Sequence, residues 1–413
     1  MAIIVQKYGG TSVGDLDKLR QVARRVAARF EAGDSPVVAV SAMGKTTDEL
    51  IALARQVNAD VTIGIPPAAR ELDMLMVTGE HVSASLLALT LQAMGHPAVS
   101  LGGHQAGFRT DQAFGKARIL NLEPERILRE VREGKIVVVA GFHGSTEDGD
   151  TATFGRGGSD TTAVALAAAL GARVCEIYTD VEGVLTADPR VVPDARKLDE
   201  ISYDEMLELA SYGARVMHNR AVELAAIYRV PILVASTFGE TPGTLIHGGP
   251  SVEQRSKVRG VAYDIDVAKL TLLGVPDRPG IAATIFEPLG ESNISVDTIV
   301  QNVSHDNLTD LTFTVARGEL EQARAILEPF LKDVGARGLE ADASVAKVSI
   351  VGTGMQNAPG YASRMFRALA DGGINIQMIS TSEIRITCIV DDGQVTDAVR
   401  VLHEAFGLAT ISG

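Results

Sequence analysis

Short, uninterrupted apolar runs alternate with stretches in which apolar side chains recur every three to four positions over the first 240 or so residues. AIIVQ at 2–6 is the first such run; it stops at Lys7-Tyr8-Gly9-Gly10-Thr11-Ser12, and LDKLRQVARRVAARF then follows with helical spacing. That is strand, glycine turn, helix. SPVVAVSAM at 35–43 runs into GKTTDELIALARQV in the same way. Residues 70–94 predict a long amphipathic helix, interrupted at Thr78-Gly79-Glu80, because glycine inside a helix costs about 1 kcal/mol against alanine. KIVVVA from 135 predicts a buried strand followed by a polar loop and, from Ser159, a helix of small apolar residues; ARVCEIYTD at 172–180 predicts another strand. A helix over 202–228, interrupted at Gly213, and the strand VPILVAST complete a repeated β-α sheet.

Beyond residue 246 the pattern changes. HGGPSVEQRSKV is polar and aperiodic, and a linker is expected over 247–262, between a first domain at 1–246 and two smaller ones at 263–340 and 341–413. The two small domains are copies. KLTLLGVPDRPGIAATIFEPLGESNISVDTIV at 269–300 aligns with KVSIVGTGMQNAPGYASRMFRALADGGINIQMI at 347–379, so that Lys269 meets Lys347, Gly280 meets Gly360 and Ile294 meets Ile374. Each continues with a strand and a helix, which gives β-α-β-β-α twice, and open strand edges of this kind invite pairing with another copy.

Composition narrows the possible partners. The chain has 413 residues, no tryptophan and a formal net charge of -14, which argues against nucleic acid or an anionic membrane surface and requires local cations for any phosphate-bearing substrate. Cys175 and Cys388 lack metal or redox spacing and read as buried thiols in a reducing compartment. No basic leader precedes the first strand, and no apolar run is expected to span a membrane, so the cytoplasm is the expected location.

Several loops then carry candidate chemistry. TFGRGGSDTTAVALAAAL at 153–170 places three glycines, the planar cation of Arg156 and the pair Ser159-Asp160 ahead of a buried helix, a pattern suited to an anion or to a tight turn capped by Ser159. Lys7, with the amides of Gly9 and Gly10, faces one point at a strand's end and suits a polyphosphate, although GxxxxGK[ST] is absent. Ser41, Thr46, Thr47 and Asp48 lie at the carboxyl end of the second strand, where open α/β sheets bind ligands, and Thr47 also fits a helix cap. Gly79 suggests a close approach to the middle of its helix, beside Glu80, and His143 in its glycine loop reads as a hydrogen-bonding spacer. Asp180, Thr186, Asp188 and Arg190 share a loop stiffened by two prolines, and Arg215 and His218 follow Gly213.

Taken together, KYGGTSVGD, VSAMGKTTDEL, VTGE, TFGRGGSDTTA and TDVEGVLTADPR resemble the aspartate kinase signature, in the expected order, and the C-terminal repeat resembles the tandem ACT domains of the same family. The resemblance implies an α/β fold: an amino-acid-kinase (carbamate-kinase-like) α/β/α sandwich followed by two ferredoxin-like βαββαβ ACT domains. It implies phosphorylation of the L-aspartate side-chain carboxylate by ATP with Mg²⁺, giving 4-phospho-L-aspartate on the way to lysine, threonine and methionine. Carried over, Lys7 touches the transferring phosphate, and Gly9 and Gly10 offer it amides. Ser41, Thr47, Glu80 and Arg156 hold aspartate, and Asp160 orients the reacting centre. Tyr178, Thr179, Asp180, Arg190 and Arg215 line the nucleotide side. Leu185 stands where relatives often place an aromatic, and no carboxylate cluster forms a metal cage, which suits Mg²⁺ carried by ATP.

The same resemblance implies lysine and/or threonine as effectors at an ACT interface between chains, through Asp277, Gly280, Ala282 and Gln301 with Asn375 and Ile376. A homo-oligomer joined through the ACT domains is expected, with a shorter subunit from the same reading frame as a further possibility. Another amino-acid kinase, or an amino-acid sensor without turnover, are the alternatives; intact Lys7, Arg156 and Asp160 weigh against the sensor.

Overall fold

A computed structural model describes residues 2–59, 68–211, 216–249, 258–301, 307–355 and 359–409. They divide into two compact units, one of Met1–Val184, Lys197–Ala210 and Arg215–Ser251, the other of Leu185–Arg196, Ser211–Ala214 and Val252–Gly413.

The first unit runs β1 (Ile3–Tyr8), α1 (Leu16–Glu31), β2 (Ser35–Val40), α2 (Thr46–Ala59), α3 (Ala69–Ala93), β3 (Ala98–Leu101), β4 (Phe108–Thr110), β5 (Ile119–Leu122), α4 (Glu125–Arg132), β6 (Ile136–Ala140), β7 (His143–Ser145), β8 (Thr151–Thr153), α5 (Gly158–Ala169), β9 (Cys175–Thr179), β10 (Glu200–Ser202), α6 (Tyr203–Ser211), α7 (Asn219–Tyr228), β11 (Ile232–Ser236) and β12 (Thr244–His247). Its main sheet has the order β10-β12-β11-β9-β1-β2-β6-β3. From β11 to β3 every neighbour is parallel, and β12 runs antiparallel to β11. All residues of β2 and β6 are buried, which is why these strands read as unbroken apolar runs: a parallel sheet is covered on both faces. Helices α1 and α3 cover one face through Leu19, Val22, Val26, Leu87 and Leu91. Helix α5 lies against β1, β2 and β9. The chain winds from β1 towards β2 and later returns to place β9 on the other side of β1. The carboxyl end of β1 therefore lies at a switch point, the usual place for a ligand crevice.

Some elements differ from expectation. The long helix is not interrupted: α3 continues through Gly79 for 25 residues, and it is long and apolar enough by composition to cross a membrane. It is nonetheless half buried within the unit and carries the buried carboxyls Asp73 and Glu80. The polar segment after β6 forms the hairpin β7–β8, part of a small sheet β5-β4-β7-β8. The helix expected over 202–228 is two helices, α6 and α7, and Arg215 between them lies outside the described residues.

The second unit continues with β13 (Gly260–Asp264), β14 (Ala268–Pro276), α8 (Ile281–Glu291), β15 (Ile299–Gln301), β16 (Leu308–Val315), α9 (Leu320–Leu327), α10 (Leu331–Val334), β17 (Gly338–Asp342), β18 (Val345–Val351), α11 (Tyr361–Asp371), β19 (Met378–Thr381), β20 (Arg385–Asp391) and α12 (Val395–Ala405). The first repeat forms the sheet β15-β16-β14-β17 and the second forms β13-β18-β20-β19. The segment expected to be linker thus ends in a strand: β13, which precedes the first repeat in the chain, pairs antiparallel with β18 of the second. Leu185–Arg196, from within the stretch expected to be one catalytic domain, also belongs here. Ala187, Val191 and Val192 enter the second repeat's core with Val258, Val261, Leu369 and Leu402.

Candidate active site

The site grows from the carboxyl ends of β1, β2 and β9 and the N-terminus of α5. Lys7, the penultimate residue of β1, extends its ammonium to Asp160 in the first turn of α5 (Nζ to Oδ1, 2.7 Å), and both side chains are about nine-tenths buried. A helix N-terminus carries partial positive charge, so Asp160 is favoured there and in turn holds the cation in place. Helix α5 starts on Gly157, whose φ of 68° is left-handed and costs little only for glycine. The expected cap at Ser159 is therefore replaced: Ser159 lies inside the helix, and its Oγ is 2.8 Å from Oγ of Ser41 at the end of β2. A side chain at 157 would also collide with His218, since its Cβ would lie 2.2 Å from the histidine Cβ.

The glycine turn after β1 is fixed from below. Gly9 N–H donates to the Tyr178 carbonyl at 3.4 Å, Gly44 N–H donates to the Gly10 carbonyl at 3.0 Å, and Ser41 N–H donates to the Tyr8 carbonyl at 3.1 Å. Gly79 is the point of close approach to α3: an added Cβ would lie 2.8 Å from Cβ of Ala42. The contact lets Glu80 reach the same loop, where the Ala42 N–H donates to Oε1 at 3.0 Å. Oε2 of Glu80 is buried with no hydrogen-bond partner. Desolvation pushes this carboxyl up to about 7, against the pull of the Ala42 amide. A buried oxygen left unpaired this way suits a ligand donor.

The expected aspartate-holding groups are gathered around these loops. Ser41 and Thr47 are half-buried at the end of β2 and the start of α2, while Arg156 is exposed in the turn before α5, without an ion-pair partner among the described residues. On the nucleotide side, the Thr179 hydroxyl donates to exposed Asp180 at 3.1 Å, and the Thr179 carbonyl accepts from the N–H and hydroxyl of Thr237.

Two residues expected on the nucleotide side have side-chain partners within the protein. The Tyr178 ring stacks on Tyr8 at 5.0 Å under the Arg25 guanidinium, and its hydroxyl donates to Glu176 at 3.0 Å, so the side chain is committed to the core. Arg190 belongs to the second unit, where it binds Asp188 with Nη2 to Oδ2 at 2.7 Å.

Sequence reasoning missed Asp73, the second buried carboxyl of α3, although an acid seven residues before Glu80 on an apolar helix was a legible signal. It also missed Phe142, a non-glycine at φ 79°, pinned because the Thr162 hydroxyl accepts its N–H and its carbonyl accepts from Phe154 N–H. His143 is the expected spacer. Its Nε2 accepts from Gly103 N–H at 3.0 Å and its Nδ1 therefore donates to the Gly141 carbonyl, and burial lowers its pKa to about 4.

In the second unit Asp277, Gly280, Ala282 and Gln301 belong to the first repeat, with Gly280 capping α8 and Gln301 closing β15. Asn375 is exposed ahead of β19. Ile376 packs on the second repeat's core, so its side chain faces inward. The repeats touch through a related pair of contacts, Lys269 with Gln377 and Lys347 with Asp297.

An open α/β sheet with a buried lysine–aspartate pair at its switch point, followed along the chain by two four-stranded α/β repeats of which the second takes β13 as an edge strand, defines an α/β ligand-binding domain with a paired small-domain module. The Amino acid kinase family profile matches residues 2–236, and ACT domain profiles match 269–331 and 348–406. The chain is 52% identical over 410 residues to the aspartate kinase of Pseudomonas putida, covering 99% of this chain and 98% of that one. Two crystal structures of Escherichia coli aspartokinase III resemble it. The complex with aspartate and ADP (R-state) has a TM-score of 0.82 at 28% identity, covering 98% of this chain and 99% of that one. The complex with lysine and aspartate (T-state) has a TM-score of 0.73 at 27% identity, with the same coverage. The chain belongs to the aspartate kinase family.

Proposed function

We propose that this enzyme transfers the γ-phosphoryl group of MgATP to the side-chain carboxylate of L-aspartate. The product is 4-phospho-L-aspartate, the entry to lysine, threonine and methionine synthesis. The observation that carries the site assignment is the pairing of Lys7 with Asp160 at the head of α5, beside a Glu80 oxygen that lacks a partner. The aspartate and ADP held by the E. coli enzyme support the same substrates here.

In this reading Glu80 Oε2 accepts the substrate ammonium, Arg156 clamps a carboxylate with two parallel N–H donors, and Ser41 and Thr47 supply hydroxyls. Lys7 and the amides of Gly9 and Gly10 meet the phosphate chain, with Thr179 and Asp180 towards the nucleotide. A carboxylate oxygen attacks phosphorus as the bond to the β,γ-bridging oxygen breaks, and ADP leaves with the electron pair. No proton moves, so catalysis is in-line alignment plus cancellation of charge on the phosphoryl oxygens. Among the described residues no cluster of three acidic, histidine or cysteine side chains is placed to hold a metal, and Mg²⁺ is expected to arrive on the nucleotide.

Lysine and/or threonine act on the ACT repeats as inhibitors in this proposal, through Asp277, Gly280, Ala282 and Gln301 of the first repeat and Asn375 of the second. The lysine complex of the E. coli enzyme supports that assignment. Edge strands β15 and β19, with exposed Ile299 and Ile379, are the surfaces for a homo-oligomer, with or without a shorter same-frame subunit. The buried free thiols Cys175 and Cys388 are consistent with a reducing compartment such as the cytoplasm.

The test is hydroxamate trapping of the acyl phosphate from L-aspartate and MgATP, with L-glutamate and N-acetylglutamate as controls and with added lysine and threonine. Hydroxamate from aspartate alone, falling with either effector, is expected. Turnover of another acid in preference to aspartate would overturn the substrate assignment, and no response to either effector would reduce the repeats to assembly.

A further inference from the structure

Helix α3 presents two buried carboxyls on one face, since residues 73 and 80 are two turns apart. The mechanism uses Glu80 and leaves Asp73 unexplained. Asp73 is wholly buried and accepts three hydrogen bonds of 2.8 Å: Oδ2 from the N–H of Thr153 and of Gly115, and Oδ1 from the Thr153 hydroxyl. With both oxygens occupied it is no ligand site. All three donors flank one segment: Thr153 closes β8 three residues before Arg156, and Gly115 lies in the turn beside it. The same segment is tied again where Ala117 N–H donates to the Thr153 carbonyl at 2.8 Å. Arg220 completes the frame by donating to the Phe154 carbonyl at 3.2 Å and the Ala117 carbonyl at 2.8 Å. One rigid helix therefore holds the ammonium acceptor directly and the root of the guanidinium-bearing turn through Asp73.

We propose that Asp73 is a positioning residue: through Thr153 it sets the reach of Arg156 relative to Glu80. Helix α3 thereby gauges the separation of the two groups that hold an amino dicarboxylic acid and favours a four-carbon substrate over its five-carbon homologue. The inference rests on the reading of Arg156 and Glu80 as substrate-holding groups. Misplacement of a binding group by about 1 Å costs up to about 100-fold in rate, so a loosened turn is visible in kinetics.

The experiment is steady-state kinetics of the full-length enzyme and its Asp73→Asn, Thr153→Val, Thr153→Ser and Arg156→Ala variants, with melting curves alongside. Asn keeps an oxygen for the two N–H groups but removes the charge that strengthens those bonds and makes the Thr153 hydroxyl accept instead of donate, while Val removes only the hydroxyl bond. Both are expected to raise KM for L-aspartate by about 10-fold, leave KM for MgATP within about twofold, and narrow the preference for aspartate over glutamate. Thr153→Ser, which keeps the hydroxyl, is expected to behave as the parent. An unchanged KM for aspartate in folded variants would overturn the inference, as would parallel rises in both KM values tracking the loss of melting temperature. If Asp73→Asn does not fold, Thr153→Val decides alone. If Arg156→Ala leaves KM for aspartate unchanged, the underlying site reading fails; if it raises KM while the other variants do not, only the role of Asp73 fails.

Discussion

Lys7 and Asp160 neutralise one another inside the site, so removing either does two separable things. Lys7→Ala leaves a buried carboxylate without its counter-charge, at a cost of about 3 kcal/mol, and removes the cation proposed for the phosphoryl group, at a cost of 100- to 1000-fold in kcat. The double variant Lys7→Met/Asp160→Asn should recover most of the melting temperature and none of the hydroxamate. Recovery of both would make the pair purely structural. Glu80 adds a pH dependence. Below its pKa of about 7 it is protonated and accepts an ammonium poorly, so KM for aspartate should rise about 10-fold per pH unit below 7, and Glu80→Gln should be high and flat. Stability runs the other way. Because its folded pKa is raised from 4.5, Glu80 contributes stability that is complete below 4.5 and lost as pH rises through 7. His143 opposes it: with a folded pKa near 4 against 6.5, its contribution is complete above 6.5 and lost as pH falls towards 4. Glu80→Gln should therefore melt with a steeper acid dependence between pH 6.5 and 4.5 than the parent. Residues such as Lys7, Ser41, Glu80 and Asp160 were legible because they stand at strand ends or beside glycines. The packing of the Tyr178 ring was not legible, because it alternates into the core, where Tyr8 and Glu176 take it up, and no local pattern reports that.

At the scale of elements, α3 joins the two halves of the site, and Gly79 is where it does so. In an isolated helix Gly79→Ala would gain about 1 kcal/mol. Here the new methyl would meet Ala42 Cβ at 2.8 Å and Thr46 Cγ2 at 3.3 Å, and overpacking of that kind costs about 1–3 kcal/mol. The net prediction is a lower melting temperature together with a higher KM for aspartate, because the displaced loop is the one Glu80 holds by its amide. A stabilised, fully active Gly79→Ala variant would show that the loop simply moves aside. The break expected at Gly79 did not appear because tertiary contact, which sequence spacing does not reveal, repays the poor propensity. Strands β1, β2, β6 and β9 were readable as apolar runs for the opposite reason, being buried on both faces. The three-residue strands of the β7–β8 hairpin are too short and polar to carry a period.

Across the whole molecule the repeat was visible in paired positions such as Lys269 and Lys347, but its strand exchange was not, because β13 finds β18 across the entire first repeat. The same non-local pairing brings Leu185–Arg196 into the regulatory unit, although the chain joins it through Val184 to the loop after β9 that bears Asp180. That segment is held by a compact set of bonds. The Thr186 hydroxyl lies 2.9 Å from Nε2 of His403 on α12, the Arg400 guanidinium donates to the Val191 carbonyl at 3.0 Å, and the Tyr263 hydroxyl donates to Asp188 at 3.1 Å. These bonds fasten the segment to α12 and β13 within the second unit. His403→Ala removes one tie and leaves Thr186 Oγ1 its bond from Arg196 N–H, for a loss of about 1–3 kcal/mol. Turnover without effector should stay within about twofold of the parent, since no proposed substrate contact changes, while half-inhibition by lysine or threonine should require several-fold more effector, a coupling change of about 1 kcal/mol. Hydroxamate titrations at several effector concentrations, beside a melting curve, read both quantities. Inhibition unchanged in a variant with a lowered melting temperature would mean that the segment braces the fold without carrying the signal.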